Sequence, residues 1–189
     1  MIDTPADRPC ALVVYESMFG CTEAVTRAIV EGLEDGGLDT VVEEARHAGL
    51  PRDRHFDLLV VGAPTHAFSL SRPSTRQDAV RQGARPELAE AGLREWIMDI
   101  GPEDGQERPA VAFDTRVTRV RHLPKAASTR ASHLLTRRGF RVIERPAPFF
   151  VQDLKGPLVE GERERARAWG RRVALRYLHE NGAPGAAAG

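Results

Sequence analysis

The feature that most constrains the fold of this chain is an alternation between short apolar runs and amphipathic segments. Residues 11–15, 58–62 and 109–113 are predominantly apolar, which is typical of parallel strands that are covered on both faces. After the first run, apolar side chains recur at helical spacing over residues 25–33, and the Gly-Gly pair at 36–37 indicates the end of a helix. This alternation predicts a parallel sheet with helices on both faces.

Weaker signals complete the pattern. A second strand is predicted over residues 38–46. Residues 140–151 contain a fifth strand that Pro146 and Pro148 interrupt, which suits the edge of a sheet. Further helical stripes end near residue 100 and recur after the fourth and fifth strands. Because crossovers between parallel strands are right-handed, the predicted fold class is α/β, a doubly wound three-layer sandwich with a five-stranded parallel sheet.

Length and composition are those of one soluble globular domain. The chain has 189 residues, of which 41% are hydrophobic and 29% are charged. We expect a single domain over residues 1–180 and a disordered tail over residues 181–189. No apolar run approaches the roughly 20 residues that cross a bilayer, and the polar start is not a secretory signal. Two cysteines are too few for a disulfide framework, so we expect a cytoplasmic protein with no membrane span.

Charge is distributed unevenly along the chain. Residues 1–57 carry 12 acidic and 5 basic side chains, whereas residues 108–146 carry 10 basic and 2 acidic ones. Such charges are ordinarily a solvated face, but the basic stretch could attract an anionic ligand or an acidic partner. Arg72 and Arg76 are likewise either solvated or in contact with a ligand phosphate. Nothing in the sequence resembles a nucleic-acid-binding module.

The loop after the first strand has the composition of an anion site. It contains Ser17, Gly20 and Thr22 and leads directly into a helix, whose unpaired N–H groups and positive dipole end face the loop. It has neither the lysine of a nucleoside-triphosphate loop nor a Gly-x-Gly-x-x-Gly fingerprint. The pattern therefore suits a single terminal phosphate, or else a Ser/Thr helix cap without a ligand.

This loop resembles that of the flavodoxins, in which a Ser/Thr-x-Thr-Gly-x-Thr segment surrounds the phosphate of flavin mononucleotide (FMN). Residues 17–22 here read Ser-Met-Phe-Gly-Cys-Thr and depart from the family at Phe19. The longer string over residues 14–20 also resembles the flavodoxin-like modules of larger flavoproteins. The resemblance implies the sheet order 2-1-3-4-5 and a bound FMN.

Two further loops resemble the loops that contact the flavin ring in the family. The Pro-Thr pair after the third strand resembles the second flavin loop of the family, and the loop after the fourth strand would meet the pyrimidine edge of the ring. By themselves His66 could be an exposed loop histidine and Phe68 an anchor in a satellite core. The residues that the resemblance assigns to FMN are Ser17, Met18, Phe19, Gly20, Cys21, Thr22, Pro64, Thr65, His66, Ala67, Phe68, Asp114, Thr115 and Arg116.

Two departures from the family bear on the flavin. Trp96 and Trp169 fall on helical stripes and are predicted core residues, so the ring lacks the Trp and Tyr that sandwich it in many flavodoxins. This predicts weaker FMN binding or a more open ring face. A cation at Arg116 near the ring would stabilise the anionic reduced flavin, which predicts a less reducing flavin than in the acidic flavodoxins.

Three functions are compatible with this sequence. The preferred one is electron transfer through bound FMN to a redox partner protein or an NAD(P)H-linked reductase, because no long insertion builds a substrate pocket. The second is an NAD(P)H-dependent FMN oxidoreductase acting on a quinone or other small acceptor, which the basic residues Arg116, Arg119 and Arg121 favour. The third is a flavodoxin-like binding module that has lost FMN.

Overall fold

A computed structural model describes residues 8–66, 68–102, 104–120 and 126–181. In chain order the strands and helices are β1 (Cys10–Tyr15), α1 (Cys21–Asp35), β2 (Asp39–Glu44), β3 (Leu58–Pro64), α2 (Pro73–Arg81), α3 (Leu93–Asp99), β4 (Pro109–Val117), α4 (Ala127–Thr136), β5 (Arg141–Val142), β6 (Ala147–Val151) and α5 (Glu162–Asn181). None of the helices described is long and apolar enough to span a bilayer.

The strands form one parallel sheet of order β2-β1-β3-β4-β5, with β6 also paired to β4. The predicted order is therefore confirmed, and a sixth strand is added to it. The predicted fifth strand over residues 140–151 is divided in two. Its first part pairs with the start of β4, the chain then leaves the sheet around Pro146, and its second part pairs with the end of β4. Proline has no N–H to donate to the ladder, which accounts for the break.

β4 is longer than predicted, and this changes the setting of three predicted site residues. Asp114, Thr115 and Arg116 were expected in a loop but belong to β4, where they pair with β6, and Asp114 and Thr115 also pair with β3. β3 likewise continues beyond the apolar run over residues 58–62 and ends at Pro64. Both strands are longer because the added residues form backbone hydrogen bonds with a neighbouring strand of the sheet.

Two apolar layers cover the sheet. Along β1, Ala11 and Val13 face the layer formed with α1 and α5, whereas Leu12 and Val14 face the layer formed with α3 and α4. Every one of these side chains is buried, as the continuous apolar run predicts. Both tryptophans are core residues, one in each layer, which confirms that neither is available to stack on a ring at the sheet edge.

Candidate functional site

The predicted site residues come from three segments that meet at one edge of the sheet. Because the strands are parallel, the ends of β1, β3 and β4 lie side by side there, at the position where ligands bind in open α/β sheets. A small cavity of about 40 Å³ lies between them. Its predicted lining residues are Met18, Phe19, Cys21, Thr22, Pro64, Thr65, His66, Thr115 and Arg116. Ala67 lies outside the described residues.

The loop between β1 and α1 presents backbone N–H groups. The Ser17 hydroxyl accepts hydrogen bonds from the N–H groups of Gly20, at 3.2 Å, and Glu23, at 3.3 Å, which fixes the turn. Gly20 has a φ of 89°, a left-handed conformation that glycine adopts without strain. Within the described part of the chain, the N–H groups of Met18, Phe19, Cys21 and Thr22 donate to no acceptor. These unpaired donors, at the positive end of the 15-residue helix α1, can hold an anion.

The Thr22 side chain lies differently from its predicted orientation. Its hydroxyl is buried and forms a hydrogen bond of 2.7 Å with the hydroxyl of Thr115 on β4. It therefore joins α1 to the sheet below the cavity instead of adding a donor to the loop. An anion at this loop would be held by backbone N–H groups.

Asp114 and Arg116 form a buried ion pair. The Arg116 guanidinium donates to both Asp114 carboxylate oxygens, each at 2.7 Å, and Asp114 is fully buried. The hydroxyl and the N–H of Ser128 at the start of α4 also donate to Asp114. Asp114 thus faces α4 and does not line the cavity, and the positive charge of Arg116 is compensated. Arg116 is therefore not the isolated cation on which the prediction of a less reducing flavin depends.

The loop after β3 forms a tight turn. His66 and Ser69 exchange backbone hydrogen bonds, and the Thr65 hydroxyl accepts one from the N–H of Ala127 at 3.0 Å. Burial, together with the nearby Arg76 charge, lowers the pKa of His66, so this imidazole is neutral at pH 7. Its Nε2 atom is buried and contacts no partner among the described residues. His66 is therefore more enclosed than an ordinary loop histidine.

Phe68 is separated from this cavity. Its φ is 63°, which is unusual for a residue with a side chain, and 48% of its surface is exposed. It does not pack in a satellite core, and it lines a different cavity, described below.

Sequence reasoning missed three residues that line the small cavity. Val117 ends β4, Val151 ends β6, and Leu154 lies in the following segment. This segment packs against the loop after β1: the Lys155 ammonium lies 5.8 Å from the centre of the Phe19 ring. No local pattern reveals this contact, because it depends on the pairing of β6 with β4.

A buried polar cluster lies beneath the same edge. Glu16, the first residue after β1, accepts a hydrogen bond from the N–H of Leu93 at 2.8 Å. Arg76 donates to the Ser71 hydroxyl at 3.0 Å and to Glu95 at 2.9 Å. Arg76 is fully buried, so the expectation that it is either solvated or in contact with a ligand is wrong. It instead fastens α2 to α3.

The fit of this edge to FMN differs between the phosphate and the ring. The unpaired N–H groups and the left-handed Gly20 suit a phosphate. The 40 Å³ cavity is far smaller than the roughly 300 Å³ or more of typical small-molecule sites. The space between these loops would therefore have to widen to take the ring.

Comparisons with known proteins identify the fold of the chain. No protein-family model and no curated protein sequence matches the chain. A flavodoxin from the domain Archaea is 16% identical with a TM-score of 0.62, and the match covers 90% of this chain and 99% of that one. Flavodoxin 1 from Bacillus cereus is 13% identical with a TM-score of 0.58, over 90% and 97% of the two chains. A flavodoxin, WrbA-like protein from Agrobacterium tumefaciens is 17% identical with a TM-score of 0.57, over 90% and 98%.

These matches define a class: the chain has the flavodoxin-like α/β fold, as the resemblance of its first loop predicts. At such identities the likeness concerns the fold alone, and function has to be argued from the site.

Proposed function

We propose that this chain binds FMN at the carboxyl edge of its sheet and transfers electrons through it to a partner protein. One observation carries the proposal: within the part of the chain that the structure describes, four backbone N–H groups in the loop before α1 and at its start have no acceptor, and they lie beside a cavity that the ends of β3 and β4 also line. A flavodoxin-like fold supports it, because ligands of such sheets bind at this edge.

The chain offers different groups to the two parts of FMN. The N–H groups of residues 18, 19, 21 and 22 would hold the phosphate, and the bonds from Gly20 and Glu23 to Ser17 would keep the loop in shape. The Thr65–His66 turn and the end of β4 would hold the ring. When bound, FMN supplies the redox chemistry, and the protein contributes position and electrostatic environment.

The direct test is to titrate FMN into the purified protein and follow flavin fluorescence and the visible absorption spectrum. Gly20→Ala is the informative variant, because a side chain at a φ of 89° forces the loop to change and redirects its N–H groups. We expect FMN affinity to fall by at least about tenfold, the equivalent of one charge-assisted hydrogen bond.

Gly161→Ala is the matched control. Gly161 has a φ of 81°, and a methyl group there would meet no atom within 4 Å, as at Gly20. It should carry the same backbone strain and bind FMN like the wild type. A protein that neither carries nor quenches FMN would contradict the proposal.

One observation favours a second function, a flavodoxin-like binding module without FMN. The space between the loops is about 40 Å³, which is too small for a flavin ring, and Val151 and Leu154 are among the residues that line it. The same titration separates the two functions, because the module would leave FMN fluorescence unchanged.

A further inference from the structure

A second cavity lies on the α3 and α4 side of the sheet and is much larger, at about 830 Å³. We name it the arginine groove, after Arg72, Arg94 and Arg130, which line it together with Phe68. Arg72 precedes α2, Arg94 lies on α3 and Arg130 lies on α4. Its volume is in the range of sites that enclose small organic ligands.

Arg72 and Arg130 both lie close enough to Arg94 for their charges to act on it. Burial lowers the pKa of Arg94, and the positive charges of Arg72 and Arg130 lower it further. Arg94 donates to the carbonyl oxygens of Ser71 and Leu70, each at 2.8 Å, and to the Ser69 hydroxyl at 3.1 Å. All three of these acceptors are neutral, so they hold Arg94 in place without compensating its charge.

Among the residues that the structure describes, no carboxylate pairs with the charged arginines of the groove. Arg72, Arg94 and Arg130 form no ion pair within residues 8–66, 68–102, 104–120 and 126–181, although many other arginines of the chain do. Two acidic groups lie near Arg94, but Glu95 is bound to Arg76 and Glu16 is buried against Leu93. The groove therefore concentrates positive charge, which costs free energy unless an anion neutralises it.

The groove also offers apolar surface. Phe68 stands at its rim, exposed over 48% of its area and held in a left-handed conformation. Residues that adopt such backbone conformations with a large side chain are concentrated at functional sites. Val142 and Pro146 line another part of the groove. A ligand that fits the groove has negative charges that contact the arginines and a flat or apolar portion that contacts the apolar surface.

We propose that the arginine groove binds a small organic molecule that carries phosphate groups, with the phosphates on Arg72, Arg94 and Arg130 and the organic part against Phe68. Guanidinium groups match the geometry of phosphate oxygens, and several of them in one site suit more than one negative charge. This inference does not depend on FMN binding, because none of the three arginines lines the cavity at the end of β1.

The test is calorimetric titration of the full chain with three probes: pyrophosphate, ATP and NADPH. We expect binding that weakens as salt is raised, since the contacts are ionic. Arg72→Gln and Arg130→Gln should each weaken it by about tenfold, the value of one hydrogen bond between charged groups. Both side chains are exposed, so these variants should fold, and circular dichroism verifies this. Arg94 is left intact because it fixes the loop after β3.

Arg171→Gln is the matched control, since Arg171 is an exposed arginine of α5, on the other face of the sheet. It should bind every probe like the wild type. The organic probes should bind more tightly than pyrophosphate, and Phe68→Ala should remove that difference. Absence of binding of all three probes, or unchanged affinity in Arg130→Gln, would overturn the proposal, as would an equal loss in Arg171→Gln.

FMN itself carries a phosphate, and the same variants distinguish the two sites. FMN binding that Gly20→Ala weakens and Arg130→Gln preserves assigns FMN to the loop after β1 and leaves the groove to another ligand. The opposite result would assign FMN to the groove and overturn the separation of the two sites.

Discussion

Glu16 follows β1 directly, and its carboxyl is almost fully buried. Burial raises the pKa of this carboxyl above its ordinary value of 4.5, and hydrogen bonds from Ser71 and Leu93 together with the Arg76 charge oppose the shift only in part. Because the pKa is higher in the folded state, folding favours the protonated form. The protonated Glu16 carboxyl contributes fully to stability below the pKa that it has in the unfolded state. This contribution is lost as pH rises through the pKa that it has in the folded state.

We expect Glu16→Gln to remove this loss, since a neutral amide has the same shape and no proton to release. The measurement is the free energy of unfolding in urea at several values between about pH 4 and 8, where the decline with rising pH should be smaller in the variant. Glu160→Gln, at an exposed position, is the control and should follow the wild type. Parallel curves for Glu16→Gln and wild type would show that Glu16 does not titrate differently in the folded state.

For individual residues, the sequence predicts the kind of site better than the direction in which each side chain points. The Ser, Gly and Thr of the first loop predict an anion site, and the loop does present unpaired N–H groups. The inward turn of Thr22 was not predictable, because its partner Thr115 lies 93 residues away in the chain. The same holds for Asp114, whose burial depends on Ser128 at the start of another helix.

Among the elements, α1 and α5 pack so tightly that the contact favours glycine, although glycine has a low helix propensity. A Cβ atom at Gly170 would overlap the carbonyl oxygen of Ile29, and one at Gly32 would overlap that of Arg167. The two helices therefore approach with backbone against backbone. In an exposed helix, Gly→Ala stabilises by about 1 kcal/mol, whereas inserting a methyl group into a tight contact costs about 1–3 kcal/mol.

We expect Gly170→Ala to destabilise the protein by on the order of 1–2 kcal/mol, because the overlap involves backbone atoms that cannot rotate away. Chemical denaturation measures this free energy. Ala168→Gly, on the exposed face of α5, calibrates the propensity and should cost about 1 kcal/mol. A more stable Gly170→Ala protein would mean that the helices separate without loss.

The elements also show where sequence patterns stop. Apolar runs locate β1 and β3 well, because both strands are buried on both faces and lie inside the sheet. The predicted ends of β3 and β4 were wrong, because the ends depend on which strands pair. β6 lies beside the end of β4 through pairs such as Phe113 with Ala147, and no local pattern contains such a pairing.

For the whole molecule, two places where anions would bind share the turn after β3, which contributes His66 to one cavity and Phe68 to the other. The unpaired N–H groups lie at the carboxyl edge, whereas the arginine groove lies between α3, α4 and the loop after β3. The uneven charge of the sequence contributes to this arrangement, since Arg130 belongs to the basic stretch over residues 108–146. The pattern of charge left a solvated face, an anionic ligand and an acidic partner all open, and only the fold brings Arg72 and Arg94 beside Arg130.

Two separate sites have a consequence for stability that one shared site does not. A ligand that binds only the folded state stabilises it by about 2.7 kcal/mol at a hundred times its Kd, and independent ligands add their effects. For a chain of this size, each should raise the unfolding midpoint by about 5–10 °C. We therefore expect FMN and pyrophosphate, each at a hundred times its Kd, to produce together nearly the sum of their separate shifts in a thermal unfolding experiment. Gly20→Ala should reduce only the FMN shift and Arg130→Gln only the pyrophosphate shift. A combined shift no larger than the greater single one would mean that both ligands compete for one site.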